Sequence, residues 1–177
     1  GGAEMCLRAR PQGDHARVLK HKQWRKAVHG DLASSAFADA QVGRVLDALN
    51  ESGQTDNTII VLWTDHGWHL GEKKHWRKFS LWEEANRTPL MFVVPKGVAK
   101  ALPGGTQAGL RVARPVGLID IYPTLLDLCE LPANPANEGR SLVPLLADEK
   151  AKWPRPALTT HGRNNHGLRT PHWRYIR

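Results

Sequence analysis

Asn57-Thr58-Ile59-Ile60-Val61-Leu62-Trp63 runs directly into Thr64-Asp65-His66-Gly67-Trp68. The first part is short, β-rich and continuously apolar after Thr58. Such a run predicts a strand buried on both faces, as in a parallel sheet. Upstream, residues 23–52 read as helix. Ala38, Val42, Val45 and Leu49 recur at helical spacing and share one face. Gly53, after Asn50-Glu51-Ser52, is a fitting helix stop. Helix, tight turn and buried strand together form an α/β unit.

Working outward, a second apolar run, Leu90-Met91-Phe92-Val93-Val94, lies between Pro89 and Pro95, which give it sharp ends. Residues 96–115 are rich in Gly, Pro and Ala and read as a surface loop. In Val116–Leu128, Asp120 is placed to cap a helix whose first turn tolerates Pro123. Residues 132–156 carry five prolines and read as a long connection with a helical turn near Leu142–Leu146. Ala157-Leu158-Thr159-Thr160 and Trp173-Arg174-Tyr175-Ile176 read as strands. Residues 1–22 read as an irregular, polar segment, either loop or short helix. There is no internal repeat.

The 177 residues suffice for one domain with a core, and 41% hydrophobic content excludes a disordered tail. No apolar run approaches the ~20 residues of a membrane helix, so no membrane partner is expected. Gly1-Gly2-Ala3-Glu4-Met5-Cys6 lacks the basic and apolar regions of a signal peptide, which would then lie upstream. Neither Cys6 nor Cys129 falls in a metal-binding spacing, and Cys129 reads as a buried structural thiol. The net charge of +8 suits an anionic partner: nucleic acid, an acidic polysaccharide, or a sulfated or phosphorylated small molecule. On charge alone, a basic solvated surface is the better account.

Three stretches could carry chemistry. Asp65 and His66 follow the carboxyl end of the predicted strand, the edge where open α/β sheets bind ligands. Both reach one divalent cation only if the backbone turns sharply, which Gly67 permits. The carboxylate suits Ca²⁺, Mg²⁺ or Mn²⁺, and the imidazole adds tolerance for Mn²⁺ or Zn²⁺. An Asx-turn with His66 at the surface is the plainer alternative. Next, Lys73-Lys74-His75-Trp76-Arg77-Lys78-Phe79-Ser80 is densely cationic. It could hold an oxyanion, form a solvent-facing loop, or stack bases on its aromatics, though two aromatics are thin support for nucleic acid. Third, His161-Gly162-Arg163-Asn164-Asn165-His166-Gly167-Leu168-Arg169 could line an anionic pocket or be an exposed loop.

In order along the chain, four stretches resemble the sulfatase family, most closely its iduronate-2-sulfatase-like branch. They are Ala36–Leu46 with Asp56–Val61; Thr64–Glu72 continuing through Trp76 and Lys78 to Thr88-Pro89-Leu90; Asp120–Leu126; and Gly139-Arg140-Ser141-Leu142 with Leu168-Arg169-Thr170 and Trp173–Ile176. The resemblance implies an α/β fold: part of a three-layer α/β/α sandwich with a mostly parallel sheet, of the alkaline-phosphatase type. Residues 23–177 would be the C-terminal part of a truncated catalytic domain. It implies Asp65 and His66 as metal ligands, although many sulfatases place Asn where this chain has His66. Lys78 would contact the substrate sulfate in catalysis. Trp68 would line the substrate pocket, joined by His69, His75 and His161. The metal is usually Ca²⁺ in the family, with Mg²⁺ or Mn²⁺ open here.

Family members attack the sulfate ester with a formylglycine made from the Cys of Cys-X-Pro-Ser-Arg or Cys-X-Ala-X-Arg. Cys6-Leu7-Arg8-Ala9-Arg10 and Cys129-Glu130-Leu131-Pro132-Ala133 do not fit. The formylglycine and the family's paired N-terminal aspartates are therefore expected upstream, and the chain alone is expected to be inactive. The implied substrate is a sulfated small molecule or carbohydrate. The implied location of the whole protein is periplasmic, secreted or lysosomal. Two alternatives remain: a phosphonate or phosphate ester hydrolase of the same superfamily, and a non-catalytic basic module binding anions or nucleic acid.

Overall fold

Two helices, α1 (Gly13–Lys20) and α2 (Trp24–Glu51), come first among residues 13–177, which the computed structural model describes. The segment 1–22, read as irregular, thus contains a helix, and its first twelve residues lie outside the described ones. In α1, Asp14 occupies the first turn and Arg17 and Lys20 the last, each complementing the helix dipole. Helix α2 ends as the sequence predicts: Gly53 takes a left-handed φ of 70°, and the Ser52 N–H bonds the Ala48 carbonyl. None of its 28 residues is buried.

Two compact units divide the chain. The first joins the residues up to Ser52 with residues 66–87. Here β2 (His69–Leu70) and β3 (Trp76–Arg77) pair antiparallel around a 3₁₀ turn at Glu72–Lys74, and α3 (Glu83–Asn86) follows. Trp76, Leu81 and Ala85 are buried together with two imidazoles, His15 and His69. The Trp24 ring packs edge-on against both His15 and Trp76, at 5.4 Å in each case. The Trp76 indole N–H donates to His15 Nδ1 at 3.1 Å. Gly71, at a φ of 112°, is the close point of this packing, since a Cβ there would lie 2.2 Å from the Trp24 ring.

The second unit comprises residues 53–65 and 88–177. Strand β1 (Ile60–Trp63) pairs with β4 (Leu90–Val93), Ile60 opposite Val93. Val94, Ala99, Leu102 and Leu128 form its core, with Ile59, Phe92, Val143 and Leu146 packed against them. Helix α4 (Ile121–Leu128) and the short α5 (Val143–Ala147) supply part of that layer. A further sheet runs β5 (Ala157–Thr160), β6 (His166–Arg169), β7 (Arg174–Ile176).

The expectation of a mostly parallel sheet needs correction: every strand pair among the described residues is antiparallel. A continuous apolar run reports burial, not direction, because direction is set by which distant segment completes the ladder. Nor is β1 buried on both faces, since Leu62 and Trp63 are exposed beside its single partner strand. Cys129, read as a buried thiol, is exposed just past the end of α4. Asp120 does not cap α4 with its side chain. It turns back within a 3₁₀ turn, where its Oδ2 accepts the Gly117 N–H at 2.9 Å. The stretch His161–Arg169 is half strand, for β6 occupies His166–Arg169.

Candidate functional site

Asp65 lies two residues past the end of β1, and the boundary between the two units falls between Asp65 and His66. From His66 the chain enters the first unit, where Gly67 is pressed against α3. Its N–H donates to the Ala85 carbonyl at 2.7 Å, and a Cβ on residue 67 would lie 2.1 Å from the Glu84 carbonyl oxygen. Glycine is needed here for close approach, and its φ is not positive.

This fixes His66. Its Nδ1 lies 2.8 Å from the Gly67 carbonyl oxygen, which can only accept, so Nδ1 carries the proton. Nε2 therefore presents its lone pair, and the Lys78 ammonium donates to it at 2.9 Å. Trp68 stacks on the His66 ring at 6.1 Å between centroids and leaves 45% of its surface open. Lys78 also lies 5.9 Å from the centre of the Phe79 ring. His66, Trp68 and Lys78 thus form one cluster, built by the strand exit, the hairpin and the loop after β3. Beside Trp68 lies an open cleft of about 400 Å³, lined among others by Arg17, Asp31, Ser34, Leu70, Trp76 and Arg77. Arg77 is anchored there by a bidentate ion pair with Asp14, its Nε 2.8 Å from Oδ2 and its Nη2 3.2 Å from Oδ1.

The same unit holds a second cluster, built around the buried His69. His69 is fully enclosed. Its Nε2 lies 2.8 Å from the Ser80 hydroxyl, while Nδ1 lies 3.8 Å from Glu84 and 3.9 Å from Glu72, too far to bond either. His75 meets His69 edge-to-face at 4.8 Å, and Trp82 packs on both rings. Burial lowers the pKa of His69, and the His75 charge lowers it further against the pull of Glu84 and Glu72. Burial likewise lowers His75, against the pull of Asp14. For Glu84, burial pushes the pKa up. A backbone hydrogen bond and the Lys73 ammonium at 3.4 Å outweigh it and hold the carboxyl below its usual value.

Of the residues singled out in the sequence, then, His66, Trp68 and Lys78 come together, and His69 and His75 sit beside them in the buried cluster. His161 belongs to the second unit, exposed at the β5–β6 turn with its N–H on the Asn165 carbonyl. Ser80 closed the cationic stretch with no role assigned to it, and Glu84 was not singled out. A serine two residues after a candidate lysine carries no signal until the fold sets it against a histidine.

The geometry bears on whether these residues suit a divalent cation. A ligating histidine generally donates its other N–H to a carboxylate, carbonyl or water, as His66 does to Gly67. Asp65 adds a hard oxygen donor. Two adjacent side chains do not complete a coordination sphere, and no group of three or more metal-ligating side chains gathers among the described residues.

The model of the family described as Sulfatase matches residues 9–131. The chain belongs to the sulfatase family. A sulfatase of Formosa agariphila is 43% identical over 159 residues, covering 90% of this chain and 30% of that protein. Iduronate 2-sulfatase of Mus musculus is 38% identical over 128 residues, covering 63% and 23%. Among solved structures, a protein in complex with its substrate D-glucosamine-2-N,6-O-disulfate superposes with a TM-score of 0.69 at 28% identity, over 94% of this chain and 34% of that one. A phosphonate monoester hydrolase from Silicibacter pomeroyi gives 0.66 at 28% identity, over 78% and 30%. The chain therefore spans about a third or less of the length of these sulfatase relatives. Asp65, His66 and Lys78 all fall within the family match.

Proposed function

We propose that this chain is part of a metal-dependent sulfatase acting on a sulfated carbohydrate, and that it supplies one side of the active site. The observation that carries this reading is the Lys78–His66–Trp68 cluster in a chain of the sulfatase family. The relative in complex with a disulfated glucosamine supports a sugar substrate.

Asp65 and His66 would hold the divalent cation, with Ca²⁺ the family's usual choice. When bound, the cation acts as a Lewis acid on the sulfate oxygens. His66 is already in the tautomer this requires, its Nε2 directed outward by the bond from Nδ1 to Gly67. Were Nε2 to face a cation, the Lys78 ammonium would be free to meet the substrate sulfate. There it donates charge-assisted hydrogen bonds to sulfate oxygens and stabilises the negative charge that grows in the transition state. The open face of Trp68 packs against the sugar ring. The cleft beside it falls in the size range of small-molecule sites and has room for the rest of the glycan. The nucleophile, a formylglycine, comes from outside these 177 residues, because neither cysteine stands in the required segment. Ca²⁺ wants six to eight oxygens, so this chain alone binds metal weakly and turns over no sulfate ester.

The test is Asp65→Ala in the full-length enzyme. Hydrolysis of a sulfated aminosugar should fall to background, and the metal content per molecule, measured by elemental analysis, should drop. Wild-type turnover with wild-type metal content would remove Asp65 from the site. One observation favours a second reading, phosphonate monoester hydrolysis: the hydrolase from Silicibacter pomeroyi superposes nearly as well as the glucosamine-disulfate protein. Relative kcat/KM for sulfate and phosphonate esters separates the two.

A further inference from the structure

Lys78 is carried by a turn whose shape is fixed two residues later. The Ser80 N–H donates to the Lys78 carbonyl at 2.7 Å, and the Ser80 hydroxyl oxygen accepts the Trp82 N–H at 3.3 Å. The hydroxyl proton is left to meet His69 Nε2 at 2.8 Å. Its direction follows from the far side of the ring. Nδ1 faces two carboxylates, Glu84 and Glu72, at 3.8 and 3.9 Å, so a lone pair there would be repelled while an N–H is attracted. His69 therefore carries its proton on Nδ1, and Ser80 donates to Nε2.

Among the described residues, the other bond to the Ser80 side chain is the longer one from the Trp82 N–H. The His69 ring cannot swing away, because it is fully buried between His75 and Trp82. Its buried Nδ1 has no hydrogen-bond partner among the described residues, a cost that packing alone would not select. An aliphatic side chain would fill the same space without leaving that N–H unpaired.

We propose that His69 is a positioning residue of the sulfatase site: through Ser80 it fixes the turn that carries Lys78, and so sets where the ammonium meets the sulfate. This rests on the reading above that Lys78 contacts the substrate. It gives His69 a role distinct from the substrate contact that the family resemblance implied. An ammonium displaced by an ångström still attracts the sulfate in the ground state but meets the developing charge poorly. The loss therefore belongs in kcat more than in KM.

The experiment compares His69→Ala, Ser80→Ala, their double variant, His69→Gln and Ser80→Thr in the full-length enzyme. The substrate is a sulfated aminosugar, and Lys78→Ala is the reference. The two alanine variants should each lower kcat by about tenfold or more, with KM moving less than about twofold. The double variant should be no worse than the worse single, as expected for residues acting through one bond. Gln can present its amide oxygen to the Ser80 hydroxyl proton, and Thr keeps the hydroxyl, so both should recover most of the rate. Wild-type kcat in Ser80→Ala, or additive losses in the double variant, would overturn the proposal while Lys78→Ala remained impaired. If Lys78→Ala were itself unimpaired, the underlying reading of the site would fall instead.

Discussion

Lys78 and His66 touch in this structure because each offers what the other lacks, a proton and a lone pair. Both residues stood out in the sequence, one in a cationic run and one beside Asp65. What sequence could not show was the ring geometry behind them. His69 and His75 were read as pocket-lining residues; they pack edge-to-face, His69 enclosed and His75 half-buried, and burial lowers the pKa of both. This has a consequence for stability. With folded pKa values below the ordinary 6.5, both rings resist protonation in the native state while the unfolded chain accepts protons normally. Their contribution is complete above 6.5 and is lost as pH falls below it. Glu84, held below 4.5, runs the same way at lower pH: its contribution is present above 4.5 and is lost as the carboxyl protonates. Thermal stability should therefore fall first as the pH drops below about 6.5, before the carboxylates titrate. His75→Phe should flatten that first step. A melting temperature constant through this range in the parent protein would show that the imidazoles are not buried as described.

At the scale of elements, two stretches that resemble the family turn out to be the halves of one joint. The Asp120 carboxylate, 3% exposed, accepts the Gly117 N–H and, through Oδ1, the Arg140 N–H at 2.8 Å. The Thr124 hydroxyl donates to the Asp120 carbonyl at 2.6 Å and accepts the Leu142 N–H at 2.8 Å. Gly139 lets the two segments of this joint close, since a Cβ there would lie 2.1 Å from the Ile119 carbonyl oxygen. Thr124→Val should leave the buried Leu142 N–H unpaired and cost about 1–3 kcal/mol, read as a shift in the denaturant midpoint. No shift would mean that the joint is not what holds α4 to the 139–142 segment. Much of this layout was legible. The 3.6-residue spacing from Ala38 to Leu49 marked α2, and apolar runs marked β1 and β4. Pairing direction was not legible, because Ile59–Trp63 reads alike in either ladder. Strand β6 was hidden by its own composition: His166-Gly167-Leu168-Arg169 has a glycine and little β-propensity, and pairing on both sides makes it a strand.

Across the whole molecule, apolar surface is left uncovered. Helix α2 exposes Leu32, Phe37 and Val45 at 59–68%, and the β1–β4 pair exposes Trp63, Met91 and Val93 near 50%. Patches of this kind on a chain covering under a third of its curated relatives favour association. The isolated chain should elute as oligomers in size-exclusion chromatography at tens of micromolar. A stable monomer under those conditions would contradict this view. The distribution of chemistry matches that picture, with Asp65, His66, Trp68 and Lys78 present and the nucleophile segment absent from both cysteines. The most direct measurement is steady-state hydrolysis of a sulfated aminosugar and a phosphonate monoester by the full-length enzyme and its Lys78→Ala variant. The sulfate ester should be the better substrate, and Lys78→Ala should lower its kcat by about 100-fold, the usual effect of removing one donor to a developing oxyanion. A preference for the phosphonate ester, or unchanged sulfate turnover without Lys78, would contradict the account.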